Sequence, residues 1–423
     1  MRVVEREAPA GRRFLFPIVL LGSLLISLFL LSRGTSAPDN WTVPVGSDPV
    51  ALAVAARSGR VFVASSADQT VSMLDARTGA TLATNTVGHW PVAIAVDETH
   101  GRVLSLDACV VSLQSPEQPC RNGASFVSVL DLRSGTLIDT VNLGTGVTAI
   151  TVDERTGRVF VASQGPDTVS LLDANSGRLL GTVDLAGTPL AMTVDVPLQH
   201  LFIDTLNPSV GRSSVSMFDS RTGALLNTVW LGRYVGAVLS DARAERVLVS
   251  SDGDVYLLDA RTGRTLRRIM NGGQPLAVDE RDGHALISGQ GHLRLIATRD
   301  GAVVGPVTGP SAVDSLSSDA VAVDETTGRV YVATPGRVFV LDGRSGRVVR
   351  ALSFRETPMG VSVDAAAHRV FIVNSITTDV PARRPGRPRL VRWLQHTLPW
   401  FPLPADPPPP ALGTVTVLDT TRL

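Results

Sequence analysis

The amino-acid sequence predicts an all-β fold, a β-propeller with eight four-stranded blades. Three observations lead to this prediction. A phrase typified by VAVDETTGRVYVAT (residues 321–334) recurs at a spacing of about 40 residues, its apolar residues alternate as in half-buried strands, and the two ends of the repeat region complement each other. A count of seven blades stays open, because the unit at residues 274–307 is short and degenerate.

Each repeat contains four short apolar runs, which are separated by clusters of Gly, Asp and Ser. In the unit at residues 150–185 the runs are ITV, RVFVA, VSLLD and LLGTVDL. Short runs bounded by turn-forming residues are typical of β-strands. Eight copies of this unit therefore predict eight sheets of four strands, repeated radially around one axis.

The ends of the repeat region predict how the ring closes. The last unit stops after its third strand, at residues 414–423, whereas residues 41–46 form a lone fourth strand ahead of the first complete unit. Pairing of these two segments would complete the last blade and leave no open edge between the first and last sheets. The sequence therefore predicts that an N-terminal strand closes the propeller.

A repeated aspartate marks two turns of nearly every unit, and we interpret it as a turn former. Asp side chains accept hydrogen bonds from backbone amides two residues on, and the Gly that follows supplies a positive φ. Because catalysis needs one unusual carboxylate and not many equivalent ones, we expect these residues to be structural. They are Asp97, Asp153, Asp195, Asp241, Asp279, Asp324 and Asp364 after the first strand, and Asp75, Asp131, Asp173, Asp219, Asp259, Asp342 and Asp419 after the third.

The N-terminal segment predicts membrane attachment. Residues 14–32 carry no charge and approach the roughly 20 residues of a membrane-spanning helix. Four arginines precede this run and one follows closely, which places residues 1–13 in the cytoplasm and exports the rest. We therefore expect a transmembrane signal-anchor, a linker at residues 33–39 and a propeller at residues 40–423, held at the cell membrane outside the cytoplasm. Cleavage as a signal peptide, which would give a secreted protein, is the alternative.

Two insertions interrupt the repeats. The insertion at residues 108–124 holds the only two cysteines, Cys109 and Cys120, for which an exported protein favours a disulfide. The insertion at residues 374–413 is rich in Pro, Arg and Trp. Its basic amphipathic centre is consistent either with contact to a membrane surface or partner, or with a lid packed across the propeller, and its role stays open.

Loop variation predicts where a ligand binds. The turns between strands one and two, and three and four, are short and alike; they lie on one side of the propeller, the uniform face. Loops between strands two and three, and between blades, differ in length and chemistry and lie on the opposite side, the variable face. Rigid scaffolds usually carry function on variable loops. The predicted binding residues are Asp68, His89, Trp90, Asp204, Asn207, Arg233, Tyr234, Asp254, Gln274 and Asn374.

The recurring phrase VDxxTGRVYVA…VxxLDxxTG resembles the YVTN-type β-propeller repeat family, with YVAT at residues 331–334 and FIVN at residues 371–374 in the namesake position. The likeness spans about residues 40–423 and implies an exported bacterial protein, often one without an assigned reaction. The LDxxTG half also resembles quinoprotein repeats, which place a Trp a few residues later. This chain has LDARTGRTLRR there, so a quinone enzyme is not expected.

The remaining sequence signals favour binding over catalysis. The formal net charge is zero, which gives no electrostatic reason to expect a nucleic-acid partner. No HExxH, GxSxG, phosphate-loop or CxxCH motif is present, so no catalytic residue, metal site or cofactor is predicted. We expect a non-catalytic extracytoplasmic scaffold for a protein, a peptide or a cell-envelope glycan. The alternative is an extracytoplasmic hydrolase or lyase, similar to a lactonase, with its site in the central funnel.

Overall fold

The computed structural model describes residues 40–108, 124–289, 292–307, 321–354, 356–375 and 413–422. The predicted anchor at residues 14–32, Cys109, Cys120 and residues 376–412 of the second insertion lie outside these ranges. Within the described residues, the structure contains no helix with the length and apolar character needed to cross a membrane.

The described residues form eight antiparallel sheets of four strands. Blade 1 contains β2 (Pro49–Ala55), β3 (Arg60–Ser65), β4 (Thr70–Asp75) and β5 (Thr81–Thr86), and blade 2 contains β6 (Pro91–Asp97), β7 (Arg102–Asp107), β8 (Ser125–Asp131) and β9 (Leu137–Gly144). Blade 3 contains β10 (Val147–Asp153), β11 (Arg158–Ser163), β12 (Thr168–Asp173) and β13 (Leu179–Asp184). Blade 4 contains β14 (Thr188–Asp195), β15 (His200–Asn207), β16 (Arg212–Asp219) and β17 (Leu225–Trp230).

Blades 5 to 8 repeat this arrangement, and a short 3-10 turn (Thr420–Arg422) follows the last strand. Blade 5 contains β18 (Val235–Asp241), β19 (Arg246–Ser251), β20 (Asp254–Asp259) and β21 (Thr265–Ile269), and blade 6 contains β22 (Gln274–Asp279), β23 (His284–Gly289), β24 (His292–Ala297) and β25 (Val303–Pro306). Blade 7 contains β26 (Val321–Asp324), β27 (Arg329–Thr334), β28 (Arg337–Asp342) and β29 (Val348–Ser353). Blade 8 contains β30 (Thr357–Asp364), β31 (Arg369–Ser375), β32 (Gly413–Asp419) and β1 (Asn40–Val45).

The sheets close into a ring, as predicted. The first strand of each blade contacts the first strands of both neighbouring blades, and β30 of blade 8 contacts β2 of blade 1. The last sheet has the order β1-β32-β31-β30, so the N-terminal strand supplies its fourth strand. The count of eight blades and the predicted closure are both confirmed, and the short unit at residues 274–307 is a complete blade.

The core lies between neighbouring blades. Val61 and Val63 of β3 pack against Phe371 of β31 and Val415 of β32, which joins blade 1 to blade 8 through buried apolar side chains. The second and third strands of most blades are apolar on both sides, because each lies between two other strands and between two adjacent sheets. The first strands, which line the central axis, are only half-buried.

The turn aspartates have the predicted structural role. The Asp131 carboxylate accepts hydrogen bonds from the backbone amides of Ser134 and Arg133, at 2.8 and 3.1 Å, and from the Ser134 hydroxyl. The hydrogen bond from the Ser134 amide lowers the pKa of Asp131 below its usual value. Gly135, which follows, has a φ of 73°. The same contacts recur at Asp75, Asp219 and Asp342, which follow the third strands of blades 1, 4 and 7.

A β-bulge recurs near the variable-face end of the first strand. The pairing register with the second strand skips one residue in most blades, and in blade 5 Gly236 and Ala237 together lie opposite Ser250. The extra residues lie on the innermost strands, so they surround the mouth of the central channel. They are Val50, Val92, Thr148, Leu190, Gly236 with Ala237, Leu276 and Met359. Most of this collar is aliphatic, and blade 5 interrupts it.

Candidate functional site

An open cleft of about 380 Å³ lies on the variable face between blades 5 and 6. We call it the blade 5–6 cleft. Two of the predicted binding residues, Tyr234 and Gln274, meet there although 40 residues separate them in the chain. The lining residues are Tyr234, Gly236, Ser250, Ser251, Asp252, Gly253, Gly273, Gln274, Ser288 and Gly289.

The cleft is open because the surrounding chain is short and small. Only Asp252 and Gly253 connect β19 to β20, so no long loop covers this part of the face. At the bulge of β18, Gly236 stands where β2 and β22 have Val50 and Leu276. The Gln274 side-chain amide lies beside Gly236, 3.8 Å from the position that a Cβ would take. An aliphatic side chain at this bulge would fill part of the cleft.

Hydrogen bonds to the backbone fix the rim of the cleft. The Asp252 carboxylate accepts the amides of Arg233 and Tyr234, at 2.8 and 3.0 Å. Asp252 itself has a φ of 51° in the tight turn. The Ser250 hydroxyl accepts the amides of Gly236 and Ala237, at 3.2 and 2.9 Å. The loop that carries Tyr234 is therefore held in place, and the one carboxylate of the cleft is already engaged.

Three neutral polar side chains of the cleft are available to a ligand. The Tyr234 side chain is 69% exposed at the rim, and Gln274 and Ser288 are half-buried in the wall. Among the described residues, the hydroxyl of Tyr234, the amide of Gln274 and the hydroxyl of Ser288 have no hydrogen-bond partner. No arginine or histidine lines the cleft. The site thus offers hydrogen bonds and an aromatic ring, and its one charged group, the Asp252 carboxylate, is already bonded to two backbone amides.

Two of the other predicted residues hold variable-face loops. Asp68 accepts the backbone amide of Ser47 at 2.6 Å, which ties the second loop of blade 1 to the segment that enters the blade. Asn207 donates its amide to the Ala186 carbonyl at 2.7 Å, an equivalent contact in blade 4. In both cases the side chain has a structural partner.

Asp254 and Asn374 are buried within their blades. Asp254 forms an ion pair with Arg268 at 2.5 Å, and Asn374 donates a hydrogen bond to the Thr416 hydroxyl at 2.8 Å. Their exposed fractions are 5% and 0%, so neither presents its side chain to a ligand on the surface.

His89, Trp90 and Arg233 lie in loops between blades. His89 and Trp90 are half-buried, and Trp90 has a φ of 46° while its carbonyl accepts the Ala108 amide at 3.1 Å. Arg233 is exposed next to Tyr234, with its backbone held by Asp252. Of the predicted set, only Arg233, Tyr234 and Gln274 therefore lie at or beside the blade 5–6 cleft.

Asp204 differs from the other predicted residues because its carboxyl group is fully buried and has no hydrogen-bond partner. It is fully buried on β15, paired with Ala191 and Val215, and neither carboxyl oxygen has a hydrogen-bond partner. Burial raises the pKa of Asp204 to about 7. Blades 1 and 3 have Ala64 and Ala162 at the equivalent register position. Asp204 does not line the cleft.

A second and larger cleft, of about 670 Å³, lies on the uniform face between blades 1 and 2. The sequence did not predict this cleft, because its lining residues lie in the short turns that were interpreted as structural. Three of its four arginines are ion-paired: Arg57 with Glu154 at 2.6 Å, Arg60 with Asp75 at 3.5 Å and Arg102 with Asp131 at 3.7 Å. The lining residues are Arg57, Ser58, Arg60, Glu98, Thr99, His100, Gly101, Arg102, Asp131, Leu132 and Arg133.

Sequence reasoning also missed Ser250, Asp252 and Ser288, which complete the blade 5–6 cleft. One sequence signal could have indicated this cleft. In SDGDVY (residues 251–256) only two residues connect the second strand of blade 5 to the third. Among the fully described loops of this kind, only the one in blade 7 is equally short. In the part of the chain that the structure describes, no group of three or more His, Cys, Asp or Glu side chains is arranged to hold a metal ion.

Comparison with known proteins supports the fold. A family model described as outer membrane protein assembly factor BamB matches residues 211–384, from the third strand of blade 4 to just beyond the second strand of blade 8. No curated protein matches the chain by sequence. The YVTN resemblance therefore stays a prediction.

Two solved structures share the architecture. BamB from Moraxella catarrhalis has a TM-score of 0.54 at 14% identity, covering 90% of this chain and 98% of that protein. Hydrazine synthase from Kuenenia stuttgartiensis has a TM-score of 0.51 at 15% identity, covering 81% and 95%. At these identities the likeness extends to the fold alone. The chain is an eight-bladed β-propeller that is similar in architecture to BamB and matches its family model over part of its length.

Proposed function

We propose that this protein is a non-catalytic binding module that recognises its ligand on the variable face, at the blade 5–6 cleft. One observation carries the proposal: Tyr234, Gln274 and Ser288 present unpaired polar groups around a cleft whose rim is fixed by Asp252. Concave sites with a few convergent polar groups are the usual form of a ligand-binding site.

The proposed setting follows from the sequence. Residues 14–32 would anchor the protein in the cell membrane, or direct its secretion if they are cleaved, with the propeller outside the cytoplasm. A partner in this compartment would be a protein, a peptide or a cell-envelope glycan. The partial match to the model of an assembly factor is consistent with a scaffold role.

The alternative, a hydrolase or lyase, needs a titratable group that reaches substrate. Asp107 and Asp204 are the described carboxyl groups whose pKa is raised to near neutrality, to about 6 and about 7, and burial is the main cause in both. Both residues are fully buried, and neither lines a cleft. These positions favour binding as the function.

Site-specific photo-crosslinking in the producing cells tests the proposal. A photoreactive phenylalanine analogue in place of Tyr234 should give a discrete adduct. The same analogue at Leu226, which is 47% exposed near the uniform-face end of β17, should not. Adducts from Leu226 alone, or from neither position, would contradict a ligand site at the cleft.

A further inference from the structure

We propose that the blade 5–6 cleft binds a single ring of a neutral sugar chain, an inference that rests on the proposed function and specifies its ligand. The volume of about 380 Å³ is near the lower end of the range for small-molecule sites, roughly 300–1,000 Å³. It suits one compact unit of a longer molecule that continues into solvent, because the cleft is open at the surface.

The charge of the lining selects an uncharged ligand. Asp252 is the one ionisable carboxylate in the wall, and its two oxygens already accept the amides of Arg233 and Tyr234. With no arginine or histidine in the wall, a phosphate or carboxylate group would find no counter-charge there. The Asp252 carboxylate would also repel a negatively charged group. An anionic ligand is therefore disfavoured, and because both oxygens of Asp252 already accept backbone amides, the lining favours an uncharged group.

The available polar groups match hydroxyl groups. The hydroxyls of Tyr234 and Ser288 each donate and accept, and the Gln274 amide does both through its two ends. A ligand with several adjacent hydroxyls can satisfy all three in more than one pattern. A peptide strand that paired with the wall through its backbone would find the amides of Gly236 and Ala237 already bonded to Ser250.

The Tyr234 ring provides an apolar surface beside these polar groups. Its side chain is 69% exposed, and the backbone at this residue is held by Asp252 at 3.0 Å. A tyrosine supplies a large amphipathic contact area at low cost in conformational entropy. The C–H face of a sugar ring can pack on such a ring while its hydroxyls reach Gln274 and Ser288.

Saturation-transfer NMR with the purified full-length chain tests this inference, in a detergent whose head group contains no sugar. The probes are cellotriose, maltotriose and triacetylchitotriose, with a blocked trialanine peptide for comparison. We expect at least one trisaccharide to receive saturation with a millimolar Kd, and the peptide to receive none. Failure of all three trisaccharides would overturn the inference.

Three variants connect binding to the cleft. Tyr234→Ala and Gln274→Leu should each weaken binding by at least about tenfold, because they remove the packing surface and the hydrogen bonds. Trp230→Ala is the matched control, since Trp230 is a 45% exposed aromatic residue on the outer strand β17 and does not line the cleft. Trisaccharide binding that survives both cleft variants would place the sugar elsewhere and contradict the inference.

The two proposals fail in different ways. If the peptide binds, and Tyr234→Ala abolishes its binding while no trisaccharide binds, the sugar inference is wrong and the cleft remains a binding site. If the photoreactive analogue at position 234 captures nothing in cells and no probe binds, the proposed function fails as well.

Discussion

Glu98 of blade 2 accepts a hydrogen bond from the backbone amide of Ser58 in blade 1, with an N–O distance of 3.0 Å. Its other carboxylate oxygen accepts the Arg57 amide at 3.3 Å. Blade 1 has Ala55 where the other blades have an aspartate at the end of the first strand. The Glu98 side chain of blade 2 therefore caps this turn of blade 1, in which no aspartate is present to do so.

Replacement of Glu98 should destabilise the ring. Its side chain is 11% exposed and accepts two amides, so Glu98→Ala leaves two donors without their partner, at a cost of about 2 kcal/mol. The matched control is Glu325→Ala, because Glu325 is exposed at the equivalent position of blade 7 and accepts no side-chain hydrogen bond among the described residues. Urea denaturation followed by circular dichroism measures both; equal losses would contradict the capping role.

Asp204 should make stability depend on pH. Its pKa is raised by burial to about 7, above its value in the unfolded chain, so the folded state favours the protonated carboxyl. The associated stability is present at low pH and is lost as the pH rises from about 4 through about 7, by up to about 4 kcal/mol.

Asp204→Ala tests this dependence, since blades 1 and 3 already have alanine at the equivalent position. The variant should be more stable than the parent at pH 8 and should show a flatter profile between pH 5 and 8, measured as the melting temperature. Asp184→Ala, which removes an exposed acid from the outer strand of blade 3, controls for net charge. A parent profile that rises over this interval would be evidence against a buried neutral Asp204.

Asp131 should show the opposite pH dependence. The amide of Ser134 lowers the pKa of its carboxyl, so its stabilising effect is present above the unfolded pKa and is lost as the pH falls through the folded value. Asp131→Ala should cost about 1 kcal/mol at neutral pH and nearly nothing near pH 2. Asp131→Asn retains an acceptor oxygen and should lose less. Parallel melting curves at the two pH values would refute the assignment.

Trp41 should contribute to closure of the ring. On β1 it lies beside Gly79 of blade 1, where an added Cβ would be 2.5 Å from its Nε1 atom, and the Arg369 guanidinium lies 5.3 Å from its ring centre. Trp41→Ala should lower stability by about 2 kcal/mol through lost apolar burial.

The control for Trp41 is Trp230→Ala, which removes an exposed tryptophan from an outer strand that does not close the ring and should change stability by less than about 0.5 kcal/mol. Limited proteolysis adds a second measurement. Cleavage near residues 40–45 should accelerate in Trp41→Ala alone, and unchanged cleavage there would contradict the role in closure.

The sequence by itself determined the repeating scaffold. Alternating apolar residues recur in all eight units and each turn aspartate recurs in seven of them, so each signal can be recognised by comparing the units. The lone strand at residues 41–46 occurs once and is recognised because the last unit lacks a fourth strand. The predicted blade count, turn chemistry and closure by β1 were therefore confirmed. These features depend on contacts within one repeat or between the two chain ends.

Only the tertiary structure decided which variable residues meet. Tyr234 and Gln274 converge because they flank the gap between two neighbouring blades, whereas Asp254 and Asn374 are drawn into ion pairs and hydrogen bonds inside theirs. Glu98 likewise caps a turn in another blade. A linear pattern records which residues occupy a loop, but packing of one sheet against the next determines which side chains find a partner and which stay free for a ligand.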